Sequence, residues 1–507
     1  MKSVTLTFDQ SMHRGVSDYS ANVRLVNCMS AADSGGRTPT ALVPVPGSTS
    51  VLGATPSVGV GCRGSFRAST GPASSGGLST LYLVFGNTVF RYTRAGTMAK
   101  VGTFNSSAVS GSCTFAENQA QASKDTWIYI CDQQTIYKFK AKDEDADVQQ
   151  SWQELPNLPH LPDDTAQVTP SYIAWGDYRL IIAAKDTNAW FYSETGTDTF
   201  KDTNVYFGES SADRTIRVVA HGGALWSFGA YSYDIFTRTG NRQNPYSNPK
   251  SASGRIGLAS AESVAVVDDY LFWLGRGDSA SNGVYMADRS GSIKRISDAG
   301  LEEIIKSWRY QEQAYAFGYT DRGQIIYCLT SQADDMTLCY NQTTGRWHQA
   351  SSSADGREHY WDVSYPQVGY ATDEIIFGSR AENTVCRFNR VLMLDYKGRP
   401  VTRVWQSPVY TMDLKKFRIV RMIIDAETGT SESYSRDAKM WVQLSGNGGA
   451  TWRERISRTL GTKGQYGHTV QVIGGGMPRD LVIRLGTSDP VALKMYQIRL
   501  DTEELAR

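Results

Sequence analysis

Between residue 61 and about residue 390, one pattern of apolar and polar positions keeps returning. A short, nearly continuous apolar run ends at a break rich in Gly, Asn or Asp, and a second run of apolar or alternating character follows. The first runs lie at 82–86, 127–131, 180–184, 225–229, 271–275, 325–329 and 374–378. Their partners lie at 88–92, 135–139, 189–192, 233–237, 283–287, 336–340 and 384–388. Runs of this length between turn residues read as strands, and each pair reads as a β-hairpin. The pitch is roughly 45 to 55 residues, the range in which a repeat means propeller blades or a related array.

A hairpin cannot bury its apolar face alone, so such units must stack. Closing the stack into a ring leaves only short, protected edges. Stretches at 99–102, 152–155, 292–296 and 346–349 add an outer strand to several units, and four strands per unit is the expected blade. The chain therefore reads as all-β, with residues 61–395 forming a β-propeller of six or seven blades, seven favoured. A pair of β-sandwiches with similar spacing is the rival fold.

Three stretches depart from the repeat. Residues 1–60 show little periodicity and read as an N-terminal arm packed on the following domain or on another subunit. Residues 396–507 carry longer strands without the hairpin pitch, clearest at 417–425, 440–444, 481–485 and 493–501, and read as a C-terminal β-sandwich or sheet domain. A helical insertion is expected near 297–308. There Ser297 or Asp298 can accept first-turn amide hydrogens, and Glu302 and Glu303 sit at the positive helix end. Leu301, Ile304, Ile305 and Trp308 follow the i, i+3, i+4, i+7 rule and form one apolar face. That face either seals the space between two blades or is offered to a partner, which makes these four residues candidate assembly contacts.

Composition narrows the classes. Glycine (47 residues) and tyrosine (27) suit a turn-rich β protein. A formal net charge of +1 gives no whole-chain attraction to nucleic acid or anionic membrane. No apolar run approaches the length of a membrane span, and the first residues lack a signal peptide's apolar core. The seven cysteines are scattered with no Cys-x-x-Cys pair, so reduced thiols tucked into strands, in a protein assembled in a reducing cytoplasm, are expected.

Candidate chemistry is sparse. Ser445, Asn447, Gly449, Thr451 and Trp452 resemble the Asp-box hairpin of sialidases and other propellers, with Asn447 where the box has Asp. Physically it is a turn: small residues allow the bend, the side chain at 447 ties the loop backbone, and Trp452 packs below. A sialidase needs an arginine cluster, a Tyr nucleophile and paired acids, and no local pattern selects them. The carboxylate pairs 163–164, 268–269 and 334–335 fall at turns, where acids sit by default. The six histidines show no metal spacing, and neither a phosphate loop nor a Gly-x-Ser-x-Gly elbow is present. No catalytic residue, cofactor or metal is expected.

The run Leu225-Trp226-Ser227-Phe228-Gly229, continuing through Tyr233-Asp234-Ile235-Phe236 to Gly240, resembles the tail hub proteins of short-tailed bacteriophages (podoviruses). So do Gly257-Leu258-Ala259-Ser260, the stretch 292–297 and the stretch 301–305. Arg24-Leu25-Val26-Asn27 with Val45-Pro46-Gly47, and Tyr496 to Leu500, look like the same family. Its members are also called packaged-DNA stabilisation proteins. The resemblance implies a non-enzymatic virion protein of the phage tail. It implies a homohexameric ring below the portal and its head–tail adaptor that extends the DNA channel, retains packaged DNA without sequence-specific binding, and supports a needle, fibres or tailspikes. The alternative is a glycan-binding or glycan-cleaving, sialidase-like propeller.

Overall fold

Each of the seven paired runs is a β-hairpin in the computed structural model. The structure describes residues 2–13, 22–33, 36, 38–51, 61–70, 79–106, 111–118, 125–141, 149–162, 164–208, 213–277, 282–354, 357–371, 373–429 and 438–504. Leu81–Phe85 pairs with Thr88–Tyr92, and every residue of both strands is buried. The same holds for Arg179–Ala184 and Ala189–Ser193. A strand in the middle of a unit is covered on both faces by neighbouring units, so it carries a continuous apolar run rather than an alternating one.

Each hairpin is flanked by an inner and an outer strand. The inner strands are Cys62–Arg67, Thr114–Glu117, Pro170–Gly176, Arg217–His221, Ala265–Val267, Tyr315–Asp321 and Ser364–Val368. The outer strands expected near 99, 153, 293 and 346 form as Met98–Thr103, Gln153–Glu154, Ile293–Arg295 and Arg346–Ala354. Two more, Phe200–Phe207 and Tyr246–Ser247, carry too little apolar pattern to stand out in the sequence.

The last unit takes its outer strand from far away. Gly47–Ser50 pairs antiparallel with Val385–Asn389, so a strand from the N-terminal arm closes the unit that ends the repeat. Innermost strands pack side by side around the ring, with the first unit's Cys62–Arg67 against the last unit's Ser364–Val368. The architecture is a β-propeller.

The rest of the arm joins the C-terminal strands. Lys2–Thr7 pairs with Met495–Glu504, and Cys28–Ala32 with Thr40–Pro44, in one sheet with Phe417–Ala426 and Val470–Gly476. Arg24–Val26 pairs with Arg403–Gln406, next to Asp480–Thr487, Lys439–Ser445 and Ile456–Thr459. Leu25, Trp405, Leu485 and Val442 from one sheet share a core with Met422, Ile424, Ile498 and Leu500 from the other. Val26 also pairs in parallel with Gln349, so this sheet continues into the sixth propeller unit.

The helix forms as Ala299–Lys306. Asp298 is its N-cap, accepting from the Leu301 amide at 2.8 Å. Ser297 instead donates to Glu302, which also takes a bidentate bond from Arg295. Leu301 and Ile305 are fully buried and Trp308 nearly so, in the same core as Phe272, Tyr327, Trp347 and Met12. Only Ile304 is half-buried. Leu301, Ile305 and Trp308 therefore pack into the chain's own interior.

Candidate functional site

The inner strands surround a concavity, the central channel of the ring. It has a volume of about 820 Å³ and takes lining residues from all seven inner strands, among them Phe66, Phe115, Trp175, Arg217, Val266 and Phe317. Inner strands of a propeller share one direction, so their first residues gather at one end of the channel.

That end holds a cross-channel polar cluster. Ser260 caps a short 3-10 turn, Ala261–Ser263, by accepting from the Glu262 amide, and its hydroxyl donates to the Ala314 carbonyl at 2.6 Å. The turn projects Glu262 toward other units. Its carboxylate accepts from the Ser112 amide at 2.7 Å and pairs with Arg380 at 3.6 Å. The Arg380 guanidinium lies 4.6 Å from the Tyr315 ring centroid, and that of Arg217 lies 4.8 Å from Tyr172 while donating to the Ala261 carbonyl at 2.7 Å. Burial pulls the Arg217 guanidinium below its ordinary value, and neighbouring Tyr172 opposes the shift. Two arginines, one carboxylate and two tyrosines thus bridge several units at one end of the channel.

This cluster gives part of the sequence resemblance a physical reason. A side chain at Gly257 would meet the Ala230–Tyr231 backbone at 2.2 Å, so only glycine lets the fourth and fifth units approach this closely. Ser260, three residues on, sets the turn that places Glu262. Tyr365 carries backbone strain on the seventh inner strand: it sits in the left-handed region at φ 47° beside a register shift, and its hydroxyl is buried without a partner. A bulky residue held there costs on the order of 1–3 kcal/mol.

Among the described residues, the channel lining brings together no arginine cluster with paired acids. Its charged lining among the described residues is Arg217 and Glu117, and Glu117 already accepts from the Ser69 amide and hydroxyl. The acid pairs hold turns. Asp268 adopts a positive φ between two strands, and Asp334 accepts from Ser331 and Arg309. Asp335 meets His359 at 2.6 Å, and Asp163 lies outside the described residues. His13, His160 and His359 each face one aspartate, while His221 and His468 bond carbonyl oxygens. His348 is buried one strand from Cys339. No cluster of three metal-binding side chains occurs among the described residues.

All seven thiols are free and buried. Burial pushes Cys28 and Cys113 up to about 12 and Cys62 up to about 11, which leaves them poor nucleophiles.

The Asp-box-like turn is built as a turn and stands in the terminal domain, away from the channel. Asn447 Oδ1 accepts from the Thr451 amide and the Ser445 hydroxyl, and its Nδ2 donates to Thr451 Oγ1. Ser445 Oγ accepts from the Gly449 amide, and Gly448 and Gly449 both have positive φ. Trp452 is half-buried, with the Arg484 guanidinium 3.8 Å from its ring centroid.

A family model described as Bacteriophage P22 Gp10, beta-propeller, matches residues 21–391. Among solved structures, a nidogen/laminin complex is similar at 10% identity and a TM-score of 0.32, covering 55% of this chain and 96% of that one. BBS1N in complex with ARL6DN is similar at 8% identity and a TM-score of 0.36, covering 67% and 93%. No curated protein matches the chain.

Proposed function

The chain belongs to the phage stabilisation family described as Bacteriophage P22 Gp10, beta-propeller, whose members stabilise packaged DNA, and on that footing we propose that it is a structural subunit of a short phage tail. The family match over residues 21–391 is the observation that carries this reading. In the proposed role, copies of the chain form a ring, six by the family's resemblance, below the portal and its head–tail adaptor. The ring extends the DNA channel, retains the genome, and carries a needle, fibres or tailspikes. It is a virion component assembled in the host cytoplasm, and its work is mechanical rather than catalytic.

Geometry adds a constraint to the role. Duplex DNA, whose major groove alone is about 12 Å wide, does not fit a single-chain channel of about 820 Å³ bridged at one end by Glu262, Arg380 and Arg217. In the proposed role the DNA conduit lies between copies of the chain rather than through any one propeller. Near-neutral overall charge suits a wall past which DNA slides.

The test is DNA retention. Phage particles assembled without this chain are expected to package DNA and then lose it, leaving nuclease-sensitive genome outside the head. Particles that keep their DNA fully protected contradict the role.

A further inference from the structure

The sheet that joins the sixth propeller unit to the terminal domain has one face in the shared core. Its opposite face carries arginines, glutamines and tryptophans, with Arg24, Arg484 and Trp441 half-buried and Gln406 buried. Arg24 pairs across the strands with Gln406, Gln406 with Arg484, and Arg484 with Gln443, so these side chains form one row. Leu25, Trp405, Leu485 and Val442, one position along each strand, point into the core instead. Trp441 lies on the same face as Gln443. Its indole covers Gly486 so closely that a Cβ there would sit 2.2 Å from the ring. The Arg455 guanidinium lies 4.3 Å from the centroid of Trp441, and that of Arg484 lies 3.8 Å from the centroid of Trp452.

Around Arg484 positive charge exceeds negative charge. The like charges of Arg24 and Arg455 stand against one carboxylate, Glu358, and Arg24 Nη2 contacts both of its oxygens at 3.0 Å. Arg484 donates its Nε to Gln406 at 2.8 Å, and Arg455 is exposed. Burial, then the like charges of Arg24 and Arg455, pull the Arg484 guanidinium down to about 10. Stacking on indoles fixes the guanidinium planes, and a fixed plane presents its N–H edge for bidentate bonds to carboxylates. Arg24 already meets a carboxylate on this face, Glu358, through its Nη2. Strands lie about 4.8 Å apart, so Arg24 and Arg484, two strands apart, are separated by about 10 Å. Two turns of an α-helix advance by about the same distance.

We propose that the row Arg24, Arg484 and Arg455 is a docking surface for an acidic polypeptide segment of another protein, whose carboxylates seat against the guanidinium edges. Nucleic acid fits less well. Base stacking needs open aromatic faces, whereas Trp441 is covered by Gly486 and Arg455, and Trp452 by Arg484. The surface also holds too few cations for strong phosphate binding. The inference rests on this face alone and stands or falls separately from the tail role.

The test uses the full chain and fluorescein-labelled poly-L-glutamate, with single-stranded and duplex DNA of matched charge as parallel probes, followed by anisotropy across a salt series. The expected result is salt-sensitive binding of polyglutamate that weakens about tenfold or more in the double variant Arg455→Gln, Arg484→Gln. Arg484→Lys keeps the charge but loses the planar fork, and is expected to fall between the two. Arg455→Gln alone alters an exposed side chain, so its thermal melt should match the parent and its loss of binding carries the test if Arg484 variants unfold. Equal polyglutamate affinity in Arg455→Gln and the parent overturns the proposal. So does tighter, arginine-dependent binding of either DNA probe.

Discussion

The propeller ring and the terminal sandwich are built on opposite principles. In the ring, six units are each made from one contiguous stretch of chain. In the sandwich, the two ends of the chain meet: Lys2–Thr7 lies beside Met495–Glu504, and the Arg24–Val26 strand joins it to the sixth unit. The seventh unit stands between these designs, contiguous in three strands and closed by a fourth from residues 47–50. Local pairing makes a unit easy to form, while long-range pairing makes the whole cooperative. One N-terminal segment closes the ring at its last unit and supplies strands to the sandwich.

Removing the N-terminal segment should have the largest effect. A chain lacking residues 1–50 loses the closing strand and three strands of the terminal sheet, and is expected to be insoluble or to elute as aggregate in size-exclusion chromatography. A soluble monomer with the parent's circular dichroism would show that ring and sandwich are independent. Next is Leu301→Asp, which puts an unpaired carboxylate into the core between the fifth and sixth units and the sandwich. Its expected cost is about 4 kcal/mol or more in urea unfolding. If stability is unchanged and only association between copies is lost, the helix face serves assembly rather than the interior.

A smaller effect concerns the join between the chain ends. Hydrogen bonds from Ser3 and Arg421, with Arg499 beside them, hold the Asp501 carboxyl down at about 2, against an ordinary value of 3.8. A depressed folded-state value means stabilisation that is present above about pH 4 and lost as pH falls toward 2. Asp501→Asn should therefore be less stable than the parent at pH 6, and its stability should fall less steeply between pH 4 and pH 2. Parallel pH profiles in urea titration would contradict this. The smallest effect should come from Asn447→Ala, which removes the tie of an exposed turn at a cost of about 1 kcal/mol and leaves the ring untouched.

The same contrast explains what the sequence disclosed. The hairpins were legible because strands buried on both faces read as unbroken apolar runs between turn residues. The helix was legible from Asp298 and the spacing of Leu301, Ile305 and Trp308, although its apolar face did not say whether it met a blade or a subunit. The closing strand, Gly-Ser-Thr-Ser at 47–50, has no apolar signature, because an outer strand faces solvent and its partner is more than 300 residues away. The Glu262–Arg380–Arg217 cluster was equally hidden. Its members are single charges from three units, and only Gly257 and Ser260, within the family-like stretch, marked the place. The arginine row on the sandwich becomes visible only once strand register aligns Arg24 with Arg484 and Arg455 is seen over Trp441.

The central proposal is that this chain is a ring-forming subunit of a phage tail whose DNA path runs between copies. Electron microscopy of the protein mixed with its portal–adaptor complex tests it most directly. The account predicts a ring of copies at the adaptor's lower end, with a central opening wide enough for duplex DNA and each propeller's own channel off that axis. Failure to dock, or a single propeller centred on the DNA axis, would contradict it.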